Sequence, residues 1–244
     1  MELSNIKEDF EKNGFVILRN FVDSLYCQKI LDIALIHLKY KIAPIELESE
    51  YIGRDEFKNS VRRLRQVYDR DIVFKDWIEY PRIREILKSL LSEDISVVLA
   101  HHNSIMTKLS HDSTQTSWHQ DIRYWNYEND NLISVWLALD SEYKENGVLE
   151  FIPQSHKMEF DKSQFEEKDY FSTTNPKNKK LIESKISNTL HRGDVVIFHS
   201  KLLHRADKNS TDRDKISFVY TVKSSDNKAL AYTRSSQYRE IILK

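Results

Sequence analysis

His119 and Asp121 stand two residues apart in the stretch Ser117-Trp118-His119-Gln120-Asp121. In an extended strand residues i and i+2 share a face, so this imidazole and carboxylate can offer a metal ion two cis ligands while Gln120 turns away or packs at the rim. A third ligand must come from elsewhere. The best source is the stretch from Gly193 to His204, where a tight turn leads into Val195-Val196-Ile197-Phe198 and then to His199 and His204. Two histidines and one carboxylate form the facial set that leaves three positions open on non-haem Fe(II).

Such groups need strands to carry them. Ile95 to Ala100, Ser104 to Leu109, Leu132 to Leu139, Val148 to Ile152, Asp194 to Phe198 and Ile216 to Val222 are short β-branched or aromatic runs separated by polar turns. Ahead of them the texture differs. Residues 4–12 are charged and helical in character, Gly14 to Leu18 reads as a buried strand, Ser24 to about Tyr40 is an amphipathic helix, and Ile83 to Leu91 follows Pro81 as another. The expected fold is mostly β with N-terminal helices, with a double-stranded β-helix (jelly roll, cupin-like) core. A single domain over 1–244 divides into a helical N-terminal third to about residue 93 and a core over about 94–225. Residues 157–190 are polar and lysine-rich, a surface insertion or a flap over the pocket. The cluster Arg62-Arg63-Leu64-Arg65 reads first as a solvated face and alternatively as a segment facing substrate.

Lys plus Arg (37) balances Asp plus Glu (38), so no net field draws nucleic acid or an anionic membrane. A small-molecule partner has to be argued from the site. The single cysteine, Cys27, allows no internal disulfide, and the opening residues lack the apolar centre of a signal peptide, which makes a cytoplasmic location the expectation. No apolar run approaches the roughly 18 residues of a membrane span. Nothing in the pattern marks an oligomer interface.

Four stretches, in order and spacing, resemble the phytanoyl-CoA dioxygenase family of Fe(II)- and 2-oxoglutarate-dependent oxygenases. They are Phe10-Glu11-Lys12-Asn13-Gly14-Phe15-Val16-Ile17-Leu18; Trp118-His119-Gln120-Asp121; Trp136-Leu137-Ala138-Leu139-Asp140 with Glu145-Asn146-Gly147 through Ser155-His156; and Gly193-Asp194 through His204. The resemblance implies that His119, Asp121 and His204 hold Fe(II), that 2-oxoglutarate chelates two open positions, and that O2 takes the last. The implied reaction couples oxidative decarboxylation of 2-oxoglutarate to succinate with hydroxylation, or desaturation, of a small substrate.

The distal carboxylate of 2-oxoglutarate calls for a cation, for which a guanidinium fork is best suited. Where the family resemblance implies an arginine, this chain has Lys215; Arg213 lies two residues earlier with the same strand parity and is preferred here. Ser217 could add a hydroxyl. Gln120, Trp136, Lys108 and Met106 match positions that line the cosubstrate pocket in relatives. Gln154 and Ala206 depart from the family's usual glycine and serine without touching the metal set.

The other histidines read differently. His199 is the alternative third ligand by composition. His101 and His102 straddle a strand and face opposite ways, so they cannot both be ligands; His111, His156 and His191 read as loop or turn residues, and His37 belongs to a helix face. Halogenation, which in such enzymes needs a small residue in place of the carboxylate, is disfavoured by Asp121. The competing class is a cupin-type metal protein acting as isomerase, hydrolase or binding module without 2-oxoglutarate. Arg62, Arg63 and Arg65, or Arg123, Tyr124 and Trp125, could shape a pocket for a polar or anionic group.

Overall fold

The computed structural model describes residues 2–244. Its first part runs α1 (Leu3–Asn13), β1 (Phe15–Leu18), α2 (Ser24–Lys39), β2 (Ile45–Leu47), α3 (Glu48–Ile52), β3 (Val61–Arg65), α4 (Ile72–Ile78) and α5 (Pro81–Leu90). The strands β4 (Ile95–Lys108), β5 (Thr116–His119), β6 (Leu132–Ala138) and β7 (Leu149–Phe151) follow. After them come α6 (Pro176–Glu183), β8 (Ile186–Ser187), β9 (Val195–His199), β10 (His204–Ala206), β11 (Lys215–Ser224) and β12 (Glu240–Leu243).

Local chemistry sets several helix starts. Asp23 caps α2, its carboxylate accepting from the backbone N–H of Leu25 at 2.9 Å and Tyr26 at 3.2 Å, which satisfies donors that a first helical turn leaves open. Pro81 opens α5, where its missing N–H costs nothing.

The strands form two antiparallel sheets. The larger has eight strands in the order β1-β9-β6-β11-β4-β3-β2, with β12 also paired to β4; the smaller has four, in the order β5-β10-β7-β8. This is the mostly β, jelly-roll arrangement with N-terminal helices that the strand pattern predicts. Alternation at period two divides the core. On β11, Ile216, Phe218, Tyr220 and Val222 join Phe74, Trp77 and Ile83 beneath the helices. Val219 instead joins Trp136, Phe151, Val196 and Phe198 between the sheets. Parity therefore sends Lys215 and Ser217 into the interior with Val219.

Three expectations about organisation change. The runs 95–100 and 104–109 are one strand, β4, whose ladder shifts opposite β11: Tyr220 pairs with Asn103 and Thr221 with Val98, leaving residues 99–102 without partners on β11. This bulge breaks the alternation, so His101 and His102 both line one cavity instead of facing opposite ways. Secondly, the basic cluster is not a solvated face. Arg62, on β3, is only 4% exposed, because Glu48 and Glu46 beside it supply the charge that burial demands. Thirdly, residues 157–190 contain α6 and β8, and Phe160, Phe165 and Phe171 pack with Trp118, Ile152 and Leu203 in an apolar cluster of their own. A helix over 72–78 and the strand β12 beyond residue 225 were not apparent from periodicity. Among the described residues no helix is long and apolar enough to cross a membrane.

Candidate active site

The small sheet brings the two halves of the metal set together by pairing. His119 ends β5, His204 begins β10, and the two are direct antiparallel partners. Gly193 makes the approach to this region possible: its φ is +88°, and a Cβ there would stand 2.2 Å from the carbonyl oxygen of Val22. Beyond that turn β9 runs inward and the chain returns at His204. The alternative ligand, His199, belongs elsewhere; its Nδ1 accepts from the backbone N–H of Lys201 at 3.0 Å and its ring lies 6.3 Å from Phe10.

One atom from each of His119, Asp121 and His204 lies within 4.8 Å of the others. Asp121 Oδ1 is 3.6 Å from His119 Nε2 and 3.8 Å from His204 Nε2. Ligands about 2.1 Å from a shared ion and at right angles stand about 3 Å apart, so a small inward movement closes the set. The tautomers suit it. The Nδ1 of His119 bonds the Ser117 carbonyl at 2.8 Å, and that of His204 the Leu202 carbonyl at 2.9 Å, which places the proton on Nδ1 and leaves each Nε2 lone pair free for a metal. Burial, then the neighbouring His119, pushes the His204 imidazole down to about 4, so it is neutral near pH 7. Burial of Asp121 opposes its ionisation. The imidazoles of His102 and His204 outweigh that cost and hold the carboxyl well below its usual range. His102 Nε2 lies 3.2 Å from Asp121 Oδ1, and the Ser134 hydroxyl donates to Oδ2 at 3.3 Å.

These groups open on a cavity of about 310 Å³ between the sheets. Of the residues expected around the cosubstrate, Lys108, Met106, Trp136 and Lys215 line it. Lys108 and Lys215 are cross-strand partners on the larger sheet, facing the metal set's sheet. Arg213 does not reach the cavity. It is exposed in the turn before β11 begins, where the strand parity linking it to Lys215 no longer applies. Gln120 is turned away, its amide donating to the Lys201 carbonyl at 2.6 Å. Ser217 is buried but donates at 2.7 Å to Glu142.

Glu142 is the main residue that sequence reasoning missed. Fully buried, it accepts from the Trp136 indole N–H at 3.0 Å and from Ser217, and it pairs with Lys215 at 3.1 Å. Only its place after the tryptophan strand could have hinted at this, since a glutamate in a polar turn normally reads as solvated. Lys108 donates to the Thr114 carbonyl at 2.6 Å. Burial, with help from Arg62 and Lys215, lowers its ammonium to about 7. The region 157–190 also contributes: Tyr170 lines the cavity and its hydroxyl meets that of Tyr51 at 2.7 Å. Tyr124 and Trp125 line it too, whereas Arg123 pairs with Asp169 at 2.8 Å over the ring of Phe165.

Residues 10–217 match the family model described as phytanoyl-CoA dioxygenase. A probable phytanoyl-CoA dioxygenase of Caenorhabditis elegans is 25% identical over 225 residues, covering 83% of this chain and 69% of that protein. The human peroxisomal phytanoyl-CoA dioxygenase is 24% identical over 217 residues, and the match spans 62% of its length. In fold, the chain is similar to the epimerase SnoN, crystallised with Fe3+, alpha ketoglutarate and nogalamycin RO. That likeness has a TM-score of 0.78 and 17% identity, covering 99% of this chain and 98% of that one.

Proposed function

The chain belongs to the phytanoyl-CoA dioxygenase family, and from that premise we propose that it is an Fe(II)- and 2-oxoglutarate-dependent dioxygenase that hydroxylates a small molecule. The observation that carries this reading is the convergence of His119, Asp121 and His204 at one side of a cavity whose facing sheet supplies two lysines.

His119, Asp121 and His204 would hold the iron; with 2-oxoglutarate and O2, it supplies oxidative decarboxylation to succinate and CO2 together with oxidation of a substrate C–H bond. The chain's own residues do the rest. The Ser117 and Leu202 carbonyls fix the two imidazoles, and Ser134 with His102 orients the carboxylate. Lys215 and Lys108 receive the distal carboxylate of 2-oxoglutarate, with Glu142 balancing the Lys215 charge until that anion arrives. Trp136, Leu149 and Phe198 form an apolar wall that excludes water and strengthens these charge contacts.

Mixing the purified protein anaerobically with Fe(II) and 2-oxoglutarate should produce the weak visible charge-transfer band of a chelated keto acid, and Asp121→Ala should abolish it. Absence of the band in the unaltered protein would favour a cupin-type metal protein working without 2-oxoglutarate.

A further inference from the structure

The cavity wall holds more positive charge than the metal and cosubstrate need. Among the described residues, Asp121 is its one carboxylate, and metal binding would commit it. Four of the lining cations are balanced by acids behind the wall: Arg62 by Glu48, Arg63 by Glu46, Arg205 by Glu150 and Lys215 by Glu142. Lys108 faces Lys215 across the ladder and serves the same anion.

Two guanidinium groups are left. Arg65 ends β3 and Arg234 sits in the turn before β12; both line the cavity, and among the described residues neither side chain has a hydrogen-bond or ion-pair partner. Gln66 directly follows Arg65. It holds φ 55° and ψ 48°, a left-handed conformation that a non-glycine residue rarely adopts. That turn brings Gln66 into the wall, again without a protein partner for its amide among the described residues.

From these three unpartnered groups, we infer that the substrate carries an anionic carboxylate or phosphate, which docks on Arg65 and Arg234 with Gln66 donating beside them. The inference rests on the oxygenase reading for the substrate's fate but not for the docking itself. A guanidinium matches either anion bidentately and cannot lose its charge; Arg65 is half-buried and Arg234 exposed. The volume of about 310 Å³ is at the small end for ligand pockets and is shared with 2-oxoglutarate, which selects a compact molecule.

The test titrates hexanoate, hexyl phosphate and neutral hexanamide into protein loaded anaerobically with Fe(II) and saturating 2-oxoglutarate, followed by calorimetry. At least one anion should bind about tenfold or more tightly than hexanamide, the worth of one charge-assisted contact. The stronger of the two identifies carboxylate or phosphate. Arg65→Gln with Arg234→Gln should erase the preference, and Arg65→Lys alone should retain most of it. Hexanamide binding as well as both anions, or a preference that survives the double substitution, overturns the inference. The visible band reports cosubstrate loading separately: a normal band without anion preference removes only this inference, whereas no band removes the oxygenase reading.

Discussion

At the metal end of the cavity the two imidazoles sit on directly paired strands, each tied to the carbonyl two residues before it. At the cation end, Lys108 and Lys215 reach in on long stems; Glu142 balances Lys215, while Lys108 donates only to the Thr114 carbonyl. The first arrangement is preorganised by backbone, so an ion finds its ligands nearly in place. The second rests on compensating charges, a buried carboxylate offsetting a buried ammonium.

The sharpest way to break this contrast is at the metal end. Asp121→Ala should reduce Fe(II) affinity and succinate formation to background, read by metal titration and product analysis, whereas Ser134→Ala should weaken iron by only about tenfold, as expected for a partner that merely orients a ligand. Wild-type iron affinity in Asp121→Ala would remove the basis of the comparison.

The cation end should respond in stability as well as binding. Lys215→Met strands Glu142 in the interior and should cost about 3 kcal/mol or more in urea unfolding. Adding Glu142→Gln should recover most of that loss while 2-oxoglutarate affinity stays reduced by about tenfold or more. Equal stability of the single and double variants would mean that the two residues do not balance one another.

A smaller effect separates Lys108 from Lys215. Burial lowers the Lys108 ammonium from 10.5 to about 7 in the folded protein, so the unfolded chain binds more protons between those values. The ligand-free protein should therefore gain stability as pH rises through that window. Anion binding has the opposite sign, because it needs the charged form: 2-oxoglutarate affinity should fall by about fivefold between pH 7 and 8. Lys108→Met should flatten that profile, and an unchanged slope would assign the cosubstrate contact to Lys215 alone.

Much of the metal end was legible because its information is local. β5 ends at His119, but the backbone stays extended through Gln120 (φ -115°, ψ 126°) before a 3-10 turn opens at Asp121, which keeps His119 and Asp121 together, and a turn followed by an apolar run marked the segment ending at His204. Arg213 lies outside the cavity that Lys215 lines for a local reason too: Arg213 precedes β11, which starts at Lys215, so strand parity does not extend to it. The reading of Arg62 as solvated failed because Glu46 and Glu48, which make its burial tolerable, come from a neighbouring strand and helix.

The sequence by itself determined the alternation that builds two facing sheets, the residues able to ligate iron, and the presence of cations on strands bordering the site. These follow from side-chain chemistry and a period of two, which neighbours along the chain suffice to express. Tertiary structure alone decided which cations stay free. That depends on acids distant in sequence and on the turn that brings Arg234 beside the cavity, because charge compensation in a low-dielectric interior is a property of three-dimensional neighbours.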